Sequence, residues 1–134
     1  MAIEWSQEYS VNVKEIDEQH KVFLSILKDL YNSIYQMDVE QNIDHIMAQV
    51  LNYIKFHFAT EEKYFDMFSY DGKIPHIEAH REFESKIIEI RKNIEINKES
   101  PTVALADLME NWLVAHINSV DKKYTKCFND HGLF

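Results

Sequence analysis

The sequence predicts an all-α fold, an up-down-up-down antiparallel four-helix bundle preceded by an N-terminal arm, on three observations. Glycine and proline occur only twice each in 134 residues, too few for the tight turns of an all-β or βαβ architecture. Apolar residues recur at steps of three and four through four long stretches. The segments between those stretches are short, as antiparallel neighbours in a bundle require.

The first helix is expected over 17–36, where Asp17 can cap its start and Ile16, His20, Phe23, Leu24, Leu27, Tyr31 and Ile34 form its stripe. The second, over 40–68, carries Ile43, Ile46, Val50, Ile54, His57, Glu61, Tyr64 and Phe65, and stops before SYDGK. Pro75 suits the first turn of a third helix over 75–97, with His76, His80, Phe83, Ile87, Ile90 and Ile94 on one side and NKESP at its close. A fourth helix over 101–126 aligns Leu105, Met109, Trp112, Leu113, His116 and Val120. Residues 1–16 form the arm, packing through Trp5 and Tyr9.

Composition narrows the function. With 46% apolar residues the chain can bury a sizeable core, and 1–134 is expected to be one domain. Its 23 acidic and 14 basic residues give a formal charge of -9, with no Lys or Arg cluster that would grip phosphate, so neither nucleic acid nor anionic membrane is an expected partner. MAIEWSQEYS lacks the basic start and apolar stretch of a signal peptide, and no run approaches the ~20 apolar residues of a membrane span. A cytoplasmic protein is expected. Cys127 is the single cysteine, compatible with a reducing compartment, and is expected to be inert.

Five of the seven histidines, His20, His57, His76, His80 and His116, fall on these apolar stripes, and every helix supplies at least one. His57 and Glu61 are four apart, as are His76 and His80, so each pair points the same way one turn apart. Any one of them alone reads as a hydrogen-bonded core residue. Five together, each otherwise costing roughly 1–3 kcal/mol if buried unpaired, point to a shared metal centre of the kind helical bundles host. Asp121 follows His116 by five residues, which in a regular helix turns about 500° and leaves the two side chains some 140° apart. If both are ligands, a π-bulge or kink is predicted between them; otherwise Asp121 is a solvated neighbour of Lys122 and Lys123.

With IDEQH ending at His20, HFATEE from His57, HIEAH from His76, WLVAHINSVD ending at Asp121, and Trp5 in the arm, the chain resembles the hemerythrins, in particular their short bacterial members. The resemblance implies two iron ions bridged by an oxo or hydroxo group, Glu61 and Asp121. His76, His80 and His116 would bind one iron, and His20 and His57 the other. Two octahedral irons offer about twelve positions, and this ligand set leaves one of them open, on the iron held by two histidines. The implied function is reversible dioxygen binding for transport, storage or delivery, with no enzymatic turnover. A monomer is expected, with an oxygen-consuming enzyme or a signalling protein as a further partner.

Leu113 matches the position where the family sets a leucine over the oxygen site; Phe58, Phe23 and Trp112 are further candidates for the pocket lining, with ordinary core packing as the alternative. Tyr124, one turn beyond Asp121, is either a partner near the bridge or a partly buried structural residue. His45 and His131 are expected at the surface.

Three competing readings follow from the same residues. A ferritin-like oxidase would present Glu-x-x-His pairs, and none occurs. HIEAH places Glu78 in neither zinc-hydrolase order, and Glu78 should face away from the site. The alternative function is an oxygen or redox sensor, or a stress-protection protein handling nitric oxide, peroxide or iron.

Overall fold

The computed structural model describes residues 4–96 and 103–134. The NKESP segment, position 97 of the expected third helix and positions 101 and 102 of the expected fourth lie outside them. The described chain contains α1 (Lys14–Tyr35), α2 (Val39–Met67), α3 (Lys73–Ile96), α4 (Val103–Ser119), a 3₁₀ turn (Asp121–Tyr124) and α5 (Thr125–Asp130). There is no strand among the described residues. None of their helices is long and apolar enough to cross a membrane.

α1 packs against α2 and α4, and α2 against α3. Phe83 of α3 and Trp112 of α4 close the ring, stacked at 3.6 Å between centroids. The apolar stripes turn inward as their period requires: Phe23, Leu27 and Leu30 of α1 meet Val50, Ile54 and Phe65 of α2, Phe83 and Ile87 of α3, and Met109 of α4, all buried. Each such side chain contributes roughly 1.5–3 kcal/mol relative to exposure.

α1 starts at Lys14, ahead of the expected Asp17, and Asp17 does not cap it. Its carboxylate reaches backward, accepting from the Val11 N–H at 2.8 Å and the Ser10 hydroxyl at 2.5 Å. Before it, Val11 and Val13 are both buried on either side of Asn12, which holds a left-handed φ of 57°, a local turn of the chain that the helical pattern does not capture. The Thr125 hydroxyl donates to Val11 O at 2.7 Å, so the arm is fastened to the far end of the chain. Trp5 and Tyr9 pack, half-buried, against the core.

With so few glycines, the helix ends use other residues in the left-handed region. Met37 (φ 61°) follows α1, where the Asp38 N–H donates to Ser33 O and the Met37 N–H to Ile34 O. Ser69 (φ 51°) follows α2 with the same pair of bonds, from Tyr70 to Phe65 and from Ser69 to Asp66. This double bond satisfies carbonyls left open by the helix end and reverses the chain.

The expected helix over 101–126 is interrupted between His116 and Asp121, where a bulge or kink is predicted if both are ligands. α4 stops at Ser119, Val120 leaves helical geometry (φ -120°, ψ -56°), and a 3₁₀ turn begins at Asp121. The rotational mismatch between His116 and Asp121 is resolved there, by a break and a tighter turn with no π-bulge.

Candidate metal centre

Seven side chains from all four long helices and the 3₁₀ turn converge in the bundle. His20 comes from α1, His57 and Glu61 from α2, His76 and His80 from α3, His116 from α4 and Asp121 from the turn. All are buried, and Glu61, His80 and Asp121 are 0% exposed. Asp121 is therefore no solvated neighbour of the lysines.

The donors fall into two groups, each within 4.8 Å. Glu61, His76, His80, His116 and Asp121 form one; His20, His57, Glu61 and Asp121 form the other. Both carboxylates belong to both groups. His80 Nε2 lies 3.0 Å and His57 Nε2 3.3 Å from Glu61 Oε1. His116 Nε2 and His76 Nε2 lie 2.8 and 3.0 Å from Asp121 Oδ1, and His20 Nε2 3.1 Å from Asp121 Oδ2.

Despite these approaches, Nε2 of His20, His76, His80 and His116, Glu61 Oε1 and both Asp121 oxygens are buried without a hydrogen-bond partner among the described residues. Close donors and acceptors that are not aligned on one another are what a bound cation would explain, because each lone pair then points at the ion. Imidazole and carboxylate together suit a first-row metal such as iron.

The outer atoms of several of these groups are held. His57 Nδ1 lies 2.6 Å from Gln19 Oε1, and Gln19 Nε2 donates to the Thr60 hydroxyl at 3.2 Å. His80 Nδ1 lies 3.0 Å from Glu62 Oε2, and the Arg81 guanidinium holds the other Glu62 oxygen at 2.6 Å. Such contacts fix ring orientation and tautomer. Neither Gln19 nor Glu62 was expected; each is the immediate neighbour of a converging residue, a signal available in the sequence. Tyr124 is completely buried, which corrects the partly buried expectation, and donates to Glu61 Oε2 at 2.6 Å.

Aromatic plates pack the imidazoles in place. Phe58 stacks on His80 at 3.8 Å, Trp112 on His116 at 4.5 Å, Tyr53 on His57 at 5.4 Å and Tyr124 on His76 at 5.7 Å, all within 20° of parallel. Leu113 is 3% exposed, one turn before Ile117 and close along α4 to His116. Phe23 is buried among Tyr53, Trp112 and Phe83. Trp112 and Phe58 thus touch converging imidazoles, while Phe23 sits one layer away. His45, His131 and Glu78 are exposed.

Burial sets the protonation of the cluster. It pushes His57 well below the usual imidazole range, helped by the adjacent His20. It lowers His80 to about 4, against the pull of Glu62. Burial and the Asp121 charge raise Glu61. For Asp121, burial acts upward but His116, with His20 and His76, overcomes it and holds the carboxyl well below its ordinary value. His57 and His80 are consequently neutral, with lone pairs free to donate.

Fold and site together define a helical bundle with a buried histidine and carboxylate cluster able to hold metal. The family model for the hemerythrin HHE cation binding domain matches residues 11–127, and the chain belongs to the hemerythrin family. It is similar to a bacteriohemerythrin from Clostridium acetobutylicum, 24% identical over 124 residues covering 90% of this chain and 96% of that protein. A myohemerythrin from Sipunculus nudus is 31% identical over 112 residues, covering 81% of this chain and 88% of its own. A wild-type hemerythrin crystal structure shares the fold with a TM-score of 0.88 at 22% identity, over 95% of this chain and 98% of that one.

Proposed function

We propose that this chain reversibly binds dioxygen at a non-haem di-iron centre, as a carrier, store or delivery protein with no enzymatic turnover. The supporting observation is the division of the cluster into two donor groups that share Glu61 and Asp121 and split the histidines three to two. His76, His80 and His116 would hold one iron, His20 and His57 the other, and the two carboxylates would span both. When bound, the iron pair supplies two electrons and one open coordination position for a diatomic molecule.

The protein's part is positioning and exclusion. Burial keeps His57 and His80 neutral, so no proton has to leave before they donate. Tyr124 holds one oxygen of Glu61 and leaves the other facing the imidazoles. Leu113, Phe58 and Trp112 wall the cluster with apolar surface, with Phe23 one layer behind them, which keeps out the water and protons that would make oxygen uptake irreversible.

Native mass and metal analysis of the purified chain should give two iron ions per polypeptide. The visible spectrum should change on reduction and again on exposure to air, with oxygen recovered stoichiometrically on deoxygenation. Iron-free protein, or catalytic consumption of oxygen, overturns the reading.

A further inference from the structure

We propose that the Tyr53 hydroxyl donates a hydrogen bond to a small exogenous ligand taken up beside His20 and His57; this rests on the di-iron reading. Tyr53 lies on α2 one turn before His57 and on the same face. Its ring is parallel to the His57 imidazole, at 5.4 Å and 11°, and meets Phe23 edge-on at 5.2 Å. It therefore stands in the wall nearest the donor group with only two histidines, the one whose metal would keep a free position.

The hydroxyl has no partner among the described residues. Its oxygen is buried without any hydrogen bond, although the side chain is only 8% exposed. The other buried phenols are satisfied: Tyr31 donates to Asp107 at 2.7 Å and Tyr124 to Glu61 at 2.6 Å. Tyr53 and Gln19 help line a surface groove of about 500 Å³, yet the hydroxyl oxygen is sealed from the solvent there. An unpaired polar atom in a core is costly and calls for an explanation. A phenol keeps its proton at neutral pH, so the group is a hydrogen-bond donor there.

No proton is transferred in this scheme; the O–H stays intact and points its hydrogen at the outer atom of the ligand. Such a donor favours ligands carrying negative charge on that atom, such as reduced dioxygen or azide, over carbon monoxide, whose oxygen is a poor acceptor.

Azide is the probe, added to the oxidised, iron-loaded full chain, with Tyr53→Phe as the variant. The parent's azide stretching band should shift when water is replaced by D₂O. In Tyr53→Phe the shift should vanish and azide should bind about tenfold or more weakly, the effect of one hydrogen bond to a charged acceptor. Metal-free Tyr53→Phe should be at least as stable as the parent, because it removes a hydroxyl the fold does not satisfy.

Equal azide affinity, or an isotope shift that persists in Tyr53→Phe because an internal water is the donor, overturns the role of Tyr53 and leaves the di-iron reading standing. A metal-free Tyr53→Phe that is clearly less stable also overturns it, since the hydroxyl would then have a partner in the fold. A parent chain without iron, or without an azide band, overturns both.

Discussion

Replacing Tyr124 by Phe removes one oxygen atom from the centre of the protein and tests how Glu61 is prepared. The hydroxyl donates to Glu61 Oε2 at 2.6 Å, and both residues are 0% exposed. The ring itself should stay, stacked on Phe128 at 4.2 Å and on His76 at 5.7 Å. What is lost is a hydrogen bond to a charged acceptor, about 1.5–3 kcal/mol, or roughly 10- to 100-fold in an equilibrium constant. Burial and Asp121 already raise the proton affinity of Glu61, and without Tyr124 it rises further, so an incoming metal must displace that proton. Ferrous iron should bind Tyr124→Phe about 10- to 100-fold more weakly in an anaerobic chelator competition. The deficit should shrink at alkaline pH, where Glu61 ionises unaided. An unchanged midpoint, or a deficit of the same size at every pH, would refute the reasoning.

Three further outcomes are expected. Leu113→Ala should shorten the lifetime of the oxygenated protein by opening the apolar wall beside His116, followed as decay of its visible spectrum; an adduct as long-lived as the parent's removes Leu113 from that role. In the metal-free protein, His80 resists protonation down to about pH 4, whereas in the unfolded chain it takes a proton near pH 6.5. Its stability contribution is therefore lost as pH falls through that window, and denaturant titrations should show His80→Gln gaining on the parent by up to about 3 kcal/mol between neutral and acid pH. Met37→Gly should stabilise the protein by about 1 kcal/mol in the same assay, because a fully exposed methionine holds a left-handed φ of 61° that glycine adopts freely.

The helical bundle is legible in the sequence because its information is periodic. Steps of three and four place Phe23, Ile54, Phe83 and Met109 on inward faces, and the same arithmetic brings His57 alongside Glu61 and His76 alongside His80. Legibility fails where the period changes. Val11 and Val13 are buried on either side of Asn12, whose left-handed φ of 57° turns the chain there, so the arm ends and α1 begins sooner than the helical stripe suggests. The five-residue step from His116 to Asp121 signals that the helix must give way, but rotation alone does not choose between an inserted residue and a tighter turn. For Tyr124 the sequence leaves open a partner near the bridge or a partly buried structural residue, because the group it meets, Glu61, is remote in the chain. Gln19 and Glu62 are flanking polar residues whose roles depend on which ring nitrogen faces outward, a matter of packing between helices.

Those two flanking residues make the halves of the cluster unequal. Behind His57 stands an uncharged amide, itself buried and tied to Thr60. Behind His80 stands a carboxylate that is 20% exposed and shared with Arg81 at the surface. An anion at the back of an imidazole draws its N–H and makes the ring a richer electron donor, whereas an amide does so weakly. The His80 flank is thus the richer electron donor and reaches the surface through Glu62 and Arg81, while the His57 flank is backed by a neutral, buried amide.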